Sequence, residues 1–129
     1  MNILITGGSR GIGAAAVRLF RARGERVWFL YEKRHEQAQA LSRETGAAAI
    51  RCDVADEQAV LAAFSQLPAL DGLICNAGIA HYGLISDITP DEWRRIFAVN
   101  VDGIFHCVRA ALPGMLQKRR ACSVSKKSF

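Results

Sequence analysis

The chain has 129 residues, half of them apolar, which is enough for one packed domain without disulfide or metal support. Its net charge of +5 is a feature of the end: Lys118, Arg119, Arg120, Lys126 and Lys127 hold five of the 17 cations, leaving 12 against 12 acids elsewhere. A nucleic-acid binder would carry a basic stripe on a helix or sheet face, so nucleic acid is set aside as a partner.

Cys52, Cys75, Cys107 and Cys122 are far apart, with no CxxC pair and no His at ligand spacing, so buried reduced thiols are expected and no metal. Met1 leads directly into a strand-like run, leaving no room for a signal peptide, and the longest apolar run is short of a membrane span. The expectation is a soluble, cytoplasmic protein with no membrane partner.

In chain order, NILIT (2 to 6) reads as a strand and GIGAAAVRLFRARG (11 to 24) as a helix stopped by Gly24. RVWFLY (26 to 31) is the second strand, HEQAQALSRETG (35 to 46) a helix closed by Gly46, and AAIRC (48 to 52) the third strand. DEQAVLAAFSQL (56 to 67) is a helix halted before Pro68, and LDGLICNAG (70 to 78) is a strand apolar enough to be buried on both faces. The last helix opens at TPDEW, with Thr89 as cap, Pro90 at the first position and Glu92 closing a capping box. It should run to about residue 117, with Pro113 and Gly114 as its weak point. Strands alternating with helices across short loops predict βαβ units and a parallel α/β sheet with right-handed crossovers.

TGGSRGIG places Gly7, Gly11 and Gly13 between the first strand and the first helix. Bare backbone there lets a pyrophosphate approach helix amides and the positive end of the helix dipole; an ordinary glycine-rich turn is the alternative. The end of the second strand, roughly twenty residues on, is Tyr31-Glu32-Lys33-Arg34. Glu32 suits a ribose diol and hence NAD, whereas Lys33, Arg34 and Arg10 suit a 2′-phosphate and hence NADP, the preferred reading.

These features, with RCDVAD around Asp53, CNAG at 75 to 78 and VNVDGIF containing Asn100, resemble the short-chain dehydrogenase/reductase family from residue 1 to about 120. The resemblance implies a doubly wound parallel sheet of Rossmann type, incomplete at about four strands, over residues 1 to 117. It implies an NADP(H) or NAD(H) site built from Thr6, Gly7, Ser9, Arg10, Gly11, Ile12 and Gly13, from Tyr31, Lys33 and Arg34, and from Asp53, Val54, Asn76, Ala77 and Gly78. Asp53 matches the acid that contacts adenine, a helix cap being its alternative. Cys75 stands where the family usually has a first Asn.

Asn100 also draws notice unaided. Trp93, Ile96, Phe97, Ile104, Val108, Ala111 and Met115 form one apolar stripe with position 100 inside it, so a buried amide needing partners is predicted. The resemblance gives Asn100 a catalytic role, holding a water beside the catalytic Lys; a core Asn bonded to nearby backbone is the alternative.

Residues 118 to 129 form a basic tail whose close, ACSVSKKSF, resembles the family's Tyr-x-x-x-Lys motif with Cys122 at the Tyr position and Lys126 at the Lys position. On that reading the fifth strand and its Ser are missing between Arg120 and Ala121, and the fourth strand lies at an open edge. The tail is then a deletion remnant or an unrelated frameshifted end, and either predicts weak or no turnover. The family transfers hydride between NAD(P)H and a carbonyl or alcohol carbon. The rivals are a non-catalytic dinucleotide-binding module or partner subunit, and a homo-oligomer through the last helix, whose outer face reads as not strongly apolar.

Overall fold

The computed structural model describes residues 1 to 118 and the strand at 123 to 125. β1 (Asn2–Thr6), β2 (Arg26–Tyr31), β3 (Ala48–Arg51), β4 (Gly72–Cys75) and β5 (Ser123–Ser125) form one sheet in the order β3-β2-β1-β4-β5, each pairing parallel. α1 (Gly11–Ala22) and α2 (His35–Thr45) cover one face. α3 (Glu57–Phe64) and α5 (Gly103–Gln117) cover the other. This is the doubly wound α/β sheet that the alternation predicts.

Strand period decides which residue enters which core. Leu4 packs with Leu30, Leu73, Val60 and Met115 on the α3–α5 side, while Ile3 and Ile5 pack with Val17, Phe29 and Leu41 on the α1–α2 side. Leu4, Ile5 and Phe29 have no exposed surface, each burial contributing about 1.5–3 kcal/mol. Local signals end the helices as expected: Gly24 and Gly46 are left-handed at φ +82° and +74°, and Thr89 and Glu92 close a complete capping box. Asp56 caps α3 through the amides of Gln58 and Ala59, and that helix ends at Phe64, three residues short of the predicted stop.

Three expectations need correction. First, the fifth strand is present: Ser123, Val124 and Ser125 pair in register with Leu73, Ile74 and Cys75, so β4 is not an edge strand. Second, the last helix breaks its pattern at a π-helical segment, Ala98–Asp102, between α4 (Pro90–Phe97) and α5, and not at Pro113, which sits within α5. Third, the buried spine of this helix is Val99, Gly103, Cys107, Ala111 and Met115, whereas Trp93 and Phe97 are 48% and 45% exposed. The extra residue in the π turn rotates what precedes it by about 100°, so Arg95 and Ile96 turn inward instead. The outer face is apolar after all: Trp93, Phe97, Val101, Phe105, Leu112 and Leu116 are all exposed along it. By length and composition alone the continuous helix Pro90–Gln117 could cross a membrane, because this outer stripe adds to the buried one.

Candidate functional site

The strand order reverses between β1 and β4, which opens a crevice beyond their carboxyl ends. The loop from Gly7 to Arg10 and the start of α1 sit there. Gly7 turns with φ +66°, and a Cβ on it would lie 2.8 Å from Ala77 Cα. Gly13 is closed by backbone, since its Cβ would meet Gly7 O at 2.1 Å. Gly11 differs: it is left-handed at φ +54° with nothing within 4 Å of a Cβ. No side chain caps α1 and its first turn has no acid, so the amides ahead of the Ala14–Arg10 bond are left for an outside anion.

Thr6 holds this corner to β4. Its buried hydroxyl accepts the amides of Asn76 (3.0 Å) and Ala77 (2.9 Å), and Asn76 Nδ2 donates to the carbonyls of Thr6 (3.2 Å) and Gly7 (3.1 Å). Thr6→Val keeps the shape but strands two amides, and is expected to cost about 2–4 kcal/mol in urea unfolding. A loss under about 1 kcal/mol would show that water takes over these amides.

A cleft of about 580 Å³ spreads from this corner to the end of β2. Gly7, Ser9, Arg10, Gly11 and Ile12 form its floor, Tyr31, Lys33 and Arg34 one end, and Asp53, Val54, Asn76, Ala77 and Gly78 the far wall. Thr6 and Gly13, expected among the contacts, stand behind the lining because both are used in packing the corner. Leu30, Cys52, Ile79 and Val99 also line the cleft and were not read from the sequence. Their apolar character marked them only as core.

Asp53 faces two ways. Its Oδ1 accepts the Ala55 amide at 3.0 Å, while Oδ2 accepts from Arg95 Nη1 at 2.8 Å. Arg95 Nη2 also donates to Glu32 Oε1 at 3.0 Å, so one guanidinium from α4 ties the ends of β2 and β3 together. Partial burial works to raise the Asp53 pKa, but the Arg95 and Ala55 hydrogen bonds and the charges of Arg95 and Lys33 hold it below the ordinary carboxylate value. Arg95 was not foreseen, because its inward turn depends on the π segment.

Asn100 lies in that segment, half-buried. Its Nδ2 donates to Ile79 O at 2.8 Å and its Oδ1 accepts the Ile79 amide at 2.9 Å, fixing the loop after β4. The side-chain amide is satisfied by the backbone of Ile79. Beside it, Ile79, His81, Ile85, Ile88, Trp93 and Ile96 bound a second cavity of about 300 Å³. Cys122 and Lys126 lie outside the described residues, but Ser123–Ser125 between them is extended. Burial raises Cys75 to about 11; for Cys52, burial and then the Asp53 and Asp56 charges give about 11. These thiols stay protonated and are not nucleophiles at neutral pH.

The family model "short chain dehydrogenase" matches residues 1–125. The "Cyclic-di-GMP-binding biofilm dispersal mediator protein" of Escherichia coli (strain K12) is 42% identical over 105 residues, covering 81% of this chain and 44% of that protein. The acetoacetyl-CoA reductase of Rhizobium meliloti (strain 1021) is 34% identical over 116 residues, covering 87% of this chain and 48% of that protein. Among solved structures, BdcA in complex with NADPH is 40% identical with a TM-score of 0.83, covering 87% of this chain and 46% of that chain. The closed form of serine dehydrogenase complexed with NADP+ is 26% identical with a TM-score of 0.90, covering 97% and 53%. The chain spans about half the length of the curated relatives it matches. With the parallel sheet, the glycine corner and the match over residues 1–125 in agreement, the chain belongs to the short-chain dehydrogenase family.

Proposed function

We propose that the chain is the dinucleotide-binding half of an NAD(P)-dependent oxidoreductase, which in its full-length relatives acts on a small carbonyl or alcohol. The observation that carries this reading is Gly11: a left-handed residue with free space above it, at an uncapped helix start in a cleft large enough for a dinucleotide. The pyrophosphate would lie on the amides that open α1, and the adenosine would run toward Asp53 and Val54. Arg10, Lys33 and Arg34 line the same cleft and favour NADP(H), with NAD(H) as the alternative through Glu32.

Such a cofactor, when bound, supplies the hydride. The residues here bind and orient it: Asn76 and Thr6 keep the glycine corner rigid, and Asn100 fixes the Ile79 loop where the nicotinamide end would lie. Acid–base chemistry is another matter. A Tyr-Lys pair four apart needs both side chains on one helical turn. Ser123–Ser125 pairs with β4 as a strand, and the role of Lys126 as the Lys of that pair rests on the resemblance alone. The three buried free thiols among the described residues fit a reducing, cytoplasmic setting. The exposed apolar stripe from Trp93 to Leu116 fits a second copy of the chain as its cover.

The test is a titration of the chain with NADPH and NADH beside a carbonyl-reduction screen. NADPH at about 100 times its Kd should raise stability by about 2.7 kcal/mol. Absence of any ligand-dependent shift removes the reading. Binding without reduction supports the rival, a non-catalytic module, a role in keeping with one relative being named for binding rather than for a reaction.

A further inference from the structure

We propose that Arg95 is a specificity-determining residue that sets the choice between the phosphorylated and unphosphorylated dinucleotide by neutralising Glu32. This rests on the dinucleotide reading above and adds a residue to it. Glu32 is the acid among the cations at the β2 end of the cleft, where Arg10, Lys33 and Arg34 also line the wall. Unneutralised, its carboxylate would repel a 2′-phosphate while still accepting a hydrogen bond from a ribose diol. Arg95 takes that charge: Nη2 lies 3.0 Å from Glu32 Oε1 and Nη1 lies 2.8 Å from Asp53 Oδ2.

The bridge is not a chance surface pair. It joins α4 to the ends of two strands, 63 and 42 residues away in sequence, and all three partners are at least 60% shielded. Arg94, next in the chain, shows the contrast. It is 72% exposed and pairs three residues back with Asp91, itself 95% exposed. Such a pair contributes little. Only a guanidinium fork reaches two carboxylates at once with separate nitrogens; an ammonium is a point charge. Arg95, just before the π segment Ala98–Asp102, is turned toward the strand ends, whereas Arg94 faces solvent.

The test measures NADPH and NADH affinity of the whole chain by fluorescence titration, with Arg95→Met, Arg95→Met/Glu32→Gln and Arg94→Met beside it. Arg95→Met should lower the NADPH-over-NADH affinity ratio by about tenfold, the double variant should bring it back to within about threefold, and Arg94→Met should leave it unchanged. A ratio that falls less than about threefold in Arg95→Met, or affinities for both dinucleotides that fall together, overturns the proposal and leaves Arg95 a structural tie. Failure of the double variant to recover the ratio overturns the route through Glu32. If circular dichroism shows Arg95→Met unfolded, Arg95→Lys is read instead: a ratio lowered about threefold supports the fork, and an unchanged ratio overturns it. A parent chain that binds neither dinucleotide removes the underlying reading itself, which is distinct from a ratio that does not move.

Discussion

Gly13→Ala is expected to destabilise the fold by about 3 kcal/mol or more, seen as a lowered urea midpoint by circular dichroism. The added methyl would sit 2.1 Å from the Gly7 carbonyl oxygen and 2.6 Å from Asn76 Nδ2, far inside contact distance. Neither neighbour can step aside cheaply. Gly7 O is backbone in a left-handed turn, and Asn76 Nδ2 is bonded to that same carbonyl. Relieving the clash means parting α1 from β4, which also breaks the Thr6 hydroxyl's bonds to the Asn76 and Ala77 amides. In an exposed helix interior the same exchange would stabilise by roughly 1 kcal/mol, so the sign of the effect is itself diagnostic. A neutral or stabilising Gly13→Ala would mean that the corner is looser than described.

Two residues earlier the outcome should be the opposite. Gly11→Asp is expected to leave the fold intact and to lower NADPH affinity by about 100-fold, or about 2.7 kcal/mol. Nothing lies within 4 Å of the new Cβ, and Asp tolerates the left-handed region better than most residues. Its carboxylate is also favourable at an uncapped helix start, offsetting part of the backbone strain. The same charge then occupies the place offered to the pyrophosphate and repels it. The measurement pairs a thermal melt without ligand with a titration. Unchanged affinity in a folded Gly11→Asp chain would sink the assignment of the corner to an anion. Together the two variants separate a glycine required by packing from one required by approach.

A related contrast governs the last helix. Its start was legible in TPDEW because a cap, a proline and a reciprocal glutamate act locally, and all three are found in place. Its course was not. Seven residues chosen at ideal helical spacing predicted one buried stripe, yet of these only Ala111 and Met115 are buried. The spacing assumed 3.6 residues per turn throughout, and the π segment at Ala98–Asp102 breaks that assumption. The irregularity coincides with Asn100, whose two bonds to Ile79 join residues 21 apart in sequence. No local pattern carries that information. The exposed aromatic pair Trp93 and Phe97, with ring centroids 4.8 Å apart, was hidden for the same reason.

In the closing stretch ACSVSKKSF, Cys122 and Lys126 lie outside the described residues, and Ser123–Ser125 is the part the structure places. Ser-Val-Ser takes the place beside β4, because that strand's free edge offers a row of unpaired backbone groups which any short β-branched run can satisfy.

By itself the sequence determined the alternation of strands and helices, the stops at Gly24 and Gly46, and the glycine corner between β1 and α1, since each depends on hydrophobic period or backbone freedom within a few residues. Tertiary structure alone decided which glycine faces a neighbour and which faces open space, where the helix phase slips, and which arginine reaches Glu32 and Asp53. Those outcomes are set by distances between segments 40 to 70 residues apart, and such distances exist only once both cores have packed against the sheet.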